Sequence, residues 1–288
     1  MKKSTSCFWR ALSLTSWIMA SMGIAGVAAA VEEALPSLQY DPAEERLLKV
    51  QADQLFESTN SGGSWREIAL PEGGKAGQLM AATVPATAEK ALYIAGTSIG
   101  VQRSTDNGKT WQKLDEGLPS QDITALTVHR QQPETLYVVI ADDGLYQSED
   151  AGESWKKMDS GPTQPIRRLI HSDMEGSMQT GWLYAVSDDA VRLSMDCFCG
   201  WRLTGELDAG RVYDLAYDLN TPEVVYVTTD QGLFRSDNGG QEWSSVNLNV
   251  ADKVALTLTS QGTLYALDHE GRLTRSEDQG ETWSAPDA

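Results

Sequence analysis

The sequence predicts an all-β protein, a six-bladed β-propeller whose blades each consist of four antiparallel strands. Three observations lead to this prediction. An octet that ends in tryptophan occurs six times, the octets recur every 40 to 46 residues, and short alternating segments flank each of them. A repeat of this length with four strands per unit is typical of propeller blades.

The octets share a serine at the first position and a tryptophan at the last. They are Ser58–Trp65, Ser104–Trp111, Ser148–Trp155, Ser194–Trp201, Ser236–Trp243 and Ser276–Trp283. Of the nine tryptophans in the chain, two lie in the first 30 residues and six of the other seven close an octet. This regularity marks the octet as the recurring unit of the fold.

Each octet follows three short strand-like segments and precedes a fourth. Around the third octet these are ITALTV, TLYVVIA, LYQS and WKKM, and such β-branched and aromatic runs between turn residues are typical of strands. We assign one propeller domain to residues 31–288. Its blades span about 36–74, 75–118, 119–163, 164–209, 210–249 and 250–288. Because each blade has its own four strands, we expect closure by packing of the first blade against the last.

The first 30 residues predict a secretory signal peptide. Lys2, Lys3 and Arg10 precede an apolar run over residues 11–30, and the run ends in three alanines. A basic start, an apolar run and small residues at its end are typical of such peptides. An uncleaved anchor is the alternative, because about 20 apolar residues can span a bilayer. The small residues at the end of the run favour cleavage. We therefore expect an exported protein, periplasmic or extracellular, that does not insert into a membrane.

The chain is strongly acidic, with a formal net charge of −18. Loss of residues 1–30 would leave 20 basic residues against 41 acidic ones. Such a surface repels phosphate backbones, so nucleic acid is not an expected partner. It favours a partner protein with a basic surface, and we expect the chain itself to be a monomer.

Each residue type of the octet has a structural explanation. The Asp or Asn side chain can accept hydrogen bonds from backbone N–H groups of its own turn, the glycine permits a positive φ, and the tryptophan ring fills the contact between blades. The Asp or Asn residues are Asn60, Asp106, Asp150, Asp196, Asn238 and Asp278. The tryptophans are Trp65, Trp111, Trp155, Trp201, Trp243 and Trp283.

These octets resemble the Asp-box (BNR) repeats of sialidases, sortilin-type receptors and the photosystem II stability/assembly-factor propellers. The resemblance implies the propeller fold. It does not imply one function, because the repeat occurs in enzymes and non-enzymes alike. Similarity to the assembly-factor group implies a non-catalytic propeller that binds another protein.

Similarity to sialidases implies the alternative function, a glycan-binding protein or a glycoside hydrolase. Sialidases have an arginine triad, a tyrosine nucleophile with a glutamate partner and an acid/base aspartate. They usually place the first arginine in an Arg-Ile-Pro motif, and neither Arg46 nor Arg66 of the first blade matches it. The residues that could still form an anion site are Arg167, Arg168, Arg211 and Tyr213. We assign no catalytic residue.

The turns between the second and third strands of the blades are rich in acids. They contain Asp53, Asp142, Asp143, Asp188, Asp189, Asp230, Asp268 and Glu270. Aspartate is common at hairpin tips for conformational reasons alone. Because the turns share one face of a propeller, we also expect a negative face that binds a basic protein, or Ca²⁺ at a paired turn.

The fourth octet differs from the others because Phe198 replaces the turn glycine between Cys197 and Cys199. In an oxidising compartment these two cysteines could form a disulfide across the turn. Free thiols and an intermolecular disulfide are the alternatives. The three histidines are not expected to cluster, and no metal site or cofactor other than Ca²⁺ is predicted.

Overall fold

A computed structural model describes residues 35–71, 79–83, 91–177, 181–195, 198, 200–207 and 209–286. In these residues the chain forms 23 β-strands and no helix. The strands make six antiparallel sheets in chain order. The predicted six-bladed β-propeller is therefore confirmed.

Each blade is one sheet of consecutive strands. The first contains β1 (Ser37–Asp41), β2 (Arg46–Gln51), β3 (Gln54–Ser58) and β4 (Arg66–Ile68), and the second β5 (Leu79–Thr83), β6 (Leu92–Gly96), β7 (Gly100–Ser104) and β8 (Gln112–Lys113). The third contains β9 (Ile123–Val128), β10 (Leu136–Ile140), β11 (Gly144–Ser148) and β12 (Lys156–Asp159), and the fourth β13 (Arg168–Ser172), β14 (Trp182–Val186), β15 (Val191–Ser194) and β16 (Arg202–Leu203). The fifth contains β17 (Val212–Tyr217), β18 (Val225–Thr229), β19 (Gly232–Ser236) and β20 (Ser244–Asn247), and the sixth β21 (Lys253–Leu258), β22 (Leu264–Asp268) and β23 (Leu273–Ser276).

The first two strands of a blade are more apolar than the last because both of their faces are covered by neighbouring blades. Every residue of the second strand β10 is buried. In the fourth strand, β12, each residue is half-buried or exposed. A strand buried on both faces has a nearly continuous run of hydrophobic residues. The hydrophobic core is accordingly divided into layers between successive sheets.

Over residues 35–286, as far as these are described, the propeller closes without exchange of a terminal strand, as expected. Strand β1 pairs with β2 of its own blade, and at the seam the Tyr40 N–H donates to Thr257 Oγ1 of the sixth blade at 3.0 Å. The fourth strand of the sixth blade is reduced to a single bridge between Arg275 and Ser284. Pro286 follows two residues later, and a proline has no N–H to extend the ladder.

Alternating strand directions define two faces. The box face contains the turns between first and second strands and between third and fourth strands, where the octets lie. The opposite face, here the B–C face, contains the turns between second and third strands and the connections between blades. The innermost strands surround the central channel between the two faces.

Candidate functional site

On the box face, the octets hold their own turns by side-chain hydrogen bonds. In the third blade the Gly152 N–H donates to Ser148 Oγ at 2.8 Å, the Ser148 hydroxyl donates to Asp150 Oδ1 at 2.7 Å, and the Ser154 N–H donates to the same oxygen at 2.8 Å. The first, second, fifth and sixth blades repeat this pattern. In the second and sixth blades, hydrogen bonds from the hydroxyl and the N–H of Thr110 and of Thr282 lower the pKa of Asp106 and Asp278 to about 2.

The octet tryptophans lie between blades and are all half-buried. Trp155 packs against the core of the second blade and its Nε1–H donates to the Leu114 carbonyl of that blade at 2.7 Å. Trp111 bonds in the same way to the Ala69 carbonyl of the first blade at 2.9 Å. Trp65, Trp201, Trp243 and Trp283 also pack against hydrophobic layers between blades.

The fourth octet places a side chain where the others have a glycine. Phe198 has a φ of 53°, and its ring is fully buried against Tyr137 of the third blade, with ring centroids 5.3 Å apart. Burial of this ring offsets the cost of a left-handed backbone at a non-glycine residue. Asp196, Cys197 and Cys199 lie outside the described residues, so the disulfide stays a prediction.

On the B–C face, most of the acidic residues singled out above contact a basic side chain. Asp143 pairs with Lys157 at 2.8 Å, and Asp189 pairs with Arg192 at 2.8 Å. Asp268 and Glu270 both pair with Arg272, at 2.6 and 3.1 Å, and Asp188 contacts two arginines. Asp230 instead accepts the Gly210 N–H at 3.1 Å.

These ion pairs place basic side chains beside most of the acidic turns of the B–C face. The sequence places bases on the strands and connections beside the acidic turns, so opposite charges meet when the blade folds. Asp53 and Asp142 lie at turn positions with φ of 58° and 57°, and neither forms an ion pair with a described residue. Asp142 and Asp143 border a groove of about 140 Å³ that Pro162, Pro165 and Ile166 also line.

The residues of the predicted anion site do not point to one empty position. Arg167 and Arg211 both contact Asp188, at 2.8 and 3.2 Å, and the Arg211 guanidinium lies 5.8 Å from the centre of the Tyr213 ring. Arg168 lies apart from them and contacts Asp214 at 2.9 Å. Their positive charges are therefore balanced by carboxylates of the chain.

Arg168 and Asp214, on the innermost strands of the fourth and fifth blades, form an ion pair. Asp214 Oδ1 accepts the Leu215 N–H and the Arg168 Nε–H, and its Oδ2 accepts the Leu256 N–H of the next blade, all at 2.8 to 2.9 Å. Arg168 also reaches the Leu38 carbonyl at 3.4 Å, on the first blade. One ion pair thus connects the first, fourth, fifth and sixth blades.

The expectation that the histidines stay apart is wrong for two of them. The rings of His129 and His171, on the third and fourth blades, have centroids 3.9 Å apart, and both are buried. Both histidines occur near the end of a first strand, and that shared position in adjacent blades was the signal for contact. Among the described residues, no three His, Cys, Asp or Glu side chains form a group that could hold a metal ion.

The family model described as "Sortilin, neurotensin receptor 3" matches residues 99–232. Among solved structures, a Niastella koreensis GH74 enzyme superposes with a TM-score of 0.59 at 15% identity, over 86% of this chain and 45% of the enzyme. YCF48 bound to D1 peptide gives 0.58 at 17% identity over 87% and 80%. A nidogen/laminin complex gives 0.65 at 12% identity over 83% and 91%. No curated protein matches the chain by sequence.

The sheets, the channel and the repeated turns define a six-bladed propeller with Asp-box turns on one face. The sortilin model matches less than half of the chain, so it shows a similarity to that family over residues 99–232. The chain spans less than half the length of the GH74 enzyme. At these identities the structural likenesses establish the fold alone.

Proposed function

We propose that the chain is an exported, non-catalytic propeller that binds another protein through its B–C face. The observation that supports this proposal is the groove beside Asp142. Asp142 is exposed and forms no ion pair with a described residue, while Pro162, Pro165 and Ile166 line the same groove. An exposed charge beside an apolar groove suits a peptide segment that combines a base with apolar side chains.

Hydrolysis is less well supported because its chemistry needs accessible carboxyl groups. A glycoside hydrolase uses two carboxyl groups on opposite sides of the bond that it cleaves. Asp214, in the channel, is buried and accepts three hydrogen bonds. Asp188 and Asp189 of the B–C face contact arginines. These carboxylates therefore serve the structure of the chain.

Two propellers that this chain covers over most of their length are described with a bound peptide or protein. They are YCF48 bound to D1 peptide and the nidogen/laminin complex. Their coverage of 80% and 91% contrasts with 45% for the GH74 enzyme. This difference favours binding over hydrolysis as the function of a single propeller.

The test is capture of partners from the native cell envelope with the tagged chain, followed by binding of the captured protein to charge-reversed variants. We expect Asp142→Lys and Asp53→Lys to weaken binding, and raised salt to weaken binding to the unaltered chain. Glu149→Lys is the matched control, because Glu149 is an exposed acid on the box face. Equal binding by Asp142→Lys and Glu149→Lys would show that the B–C face is not the contact surface.

Two further parts of the proposal have their own tests. Export is tested by the N-terminal sequence of the protein recovered from its cells, which we expect to begin after residue 30. Ca²⁺ at a paired turn, such as Asp142 and Asp143, is tested by melting the protein with calcium and with a chelator.

The glycan alternative predicts that the protein releases sugar from envelope glycans. If it does, and if substitution of Asp214 abolishes that activity, hydrolysis would take the place of protein binding as the function. None of the described residues forms a helix that could cross a membrane.

A further inference from the structure

The central channel opens on the box face into a cavity of about 90 Å³. The innermost strands of the first, third, fourth, fifth and sixth blades line this cavity. Its polar lining includes Tyr40, Thr127, Arg130, Arg168, His171 and Tyr217. The cavity is on the opposite face from the groove beside Asp142, so it is a separate site.

Arg130 differs from the other arginines that surround it. Arg168 is paired with Asp214, and nearly every described arginine lies within 4 Å of a carboxylate. Within the described part of the chain, Arg130 and Arg202 have no such partner. Arg202 is exposed on an outer strand, whereas Arg130 is half-buried at the cavity. A guanidinium kept without a counter-ion in so acidic a chain indicates a site for an anion.

Tyr217 supplies a second hydrogen-bond donor to the same cavity. It is 8% exposed, and its hydroxyl makes no hydrogen bond to a described residue. Burial raises the pKa of Tyr217. The hydroxyl is therefore protonated at neutral pH and can donate to a ligand.

We propose that this cavity binds a single carboxylate group of a peptide, with the Arg130 guanidinium and the Tyr217 hydroxyl as donors. A carboxylate matches the planar donor geometry of a guanidinium. The cavity volume suits a group of this size and leaves the rest of a peptide outside on the box face.

In the experiment, the full chain is titrated with small probes, and binding is measured by ligand-observed NMR. The probes are N-acetyl-Gly-Gly with a free carboxylate, its C-terminal amide, N-acetylglutamate α-amide and inorganic phosphate. We expect saturable binding of a carboxylate and none of the neutral amide. The first and third probes distinguish a C-terminal carboxylate from a side-chain carboxylate. Tighter binding of phosphate, or equal binding of the amide, would overturn the proposal.

Variants assign the binding to this cavity. We expect Arg130→Gln to weaken carboxylate binding about tenfold or more, because it removes a charge-assisted pair of hydrogen bonds. Arg130→Lys keeps the charge and should weaken carboxylate binding less than Arg130→Gln does. Tyr217→Phe should also weaken binding less than Arg130→Gln does. Arg202→Gln is the matched control, because Arg202 too has no carboxylate partner among the described residues, and it should bind like the unaltered chain. Unchanged binding by both Arg130 variants, or no saturable binding by any probe, would refute the site without affecting the proposal for the B–C face.

Discussion

The two faces of the propeller use their carboxylates differently. On the box face, Asp106, Asp150 and Asp278 accept hydrogen bonds from their own octets. On the B–C face, residues such as Asp143 and Asp188 contact Lys or Arg side chains from neighbouring strands and connections. The box face therefore repeats one local motif, whereas the B–C face varies from blade to blade.

This difference shows where a repeated sequence leaves room for function. A turn that is held by its own residues needs the same residues in every blade, so its sequence cannot vary much. Ion pairs between exposed side chains contribute little to stability and can be replaced. The B–C face is thus free to acquire binding residues, and the half-buried Asp53 and the exposed Asp142 lie there.

The largest expected effect on stability comes from the ion pair between Arg168 and Asp214, on the innermost strands. Arg168→Met would leave Asp214, whose side chain is 2% exposed, as a buried charge without its counter-ion. We expect the free energy of unfolding, measured by urea denaturation, to fall by about 3 to 5 kcal/mol. The double variant Arg168→Met with Asp214→Leu should recover part of this loss. A loss below about 1 kcal/mol would mean that water reaches the channel freely.

The next largest effect tests the box face. Trp155→Ala removes a ring that packs on the core of the second blade and a hydrogen bond to Leu114. We expect a loss of about 2 to 4 kcal/mol, less than for a fully buried tryptophan because the ring is half-buried. Trp155→Phe keeps most of the packing and should lose about 1 kcal/mol for the hydrogen bond. An unchanged melting temperature for Trp155→Ala would contradict the role given to these tryptophans.

Much of the fold was predictable because the octet is a local motif. The serine, the Asp or Asn, the glycine and the tryptophan are close in sequence, and their spacing set the blade number. The contacts between blades were less accessible. Asp214 lies in an apolar strand, Val212–Tyr217, and nothing near it in sequence indicates that Arg168, 46 residues earlier, would reach it.

The candidate sites show the same limit. Sequence alone located the acidic turns but could not tell which acids contact a base, because Asp188 meets Arg167 of its own blade and also Arg211 across a blade boundary. It also gave no reason to single out Arg130. The distinction between Arg130 and Arg168 depends on which one lies beside Asp214, and that follows from the register between neighbouring inner strands.

A smaller effect concerns the acid stability of the box face. Hydrogen bonds from Thr110 lower the pKa of Asp106 from 3.8 to about 2, so its charged form stabilises the fold above the ordinary pKa. That contribution is lost as the pH falls from about 4 to about 2. The fifth blade has Asn238 at this position and keeps the backbone bond without a titrating group. We expect the melting temperature of Asp106→Asn to fall less over this pH range than that of the unaltered chain; an equal fall would contradict this.

The smallest effect is expected on the B–C face. Asp143→Asn removes the ion pair with Lys157, in which both side chains are more than a third exposed. We expect a change in the free energy of unfolding of about 0 to 1 kcal/mol, which raised salt should remove. The Tyr146 hydroxyl also donates to Asp143, and an asparagine oxygen can accept that bond. A loss as large as that of Trp155→Ala would mean that the ion pairs of this face hold the blades together. The B–C face would then be as constrained as the box face, and its variation between blades would need another explanation.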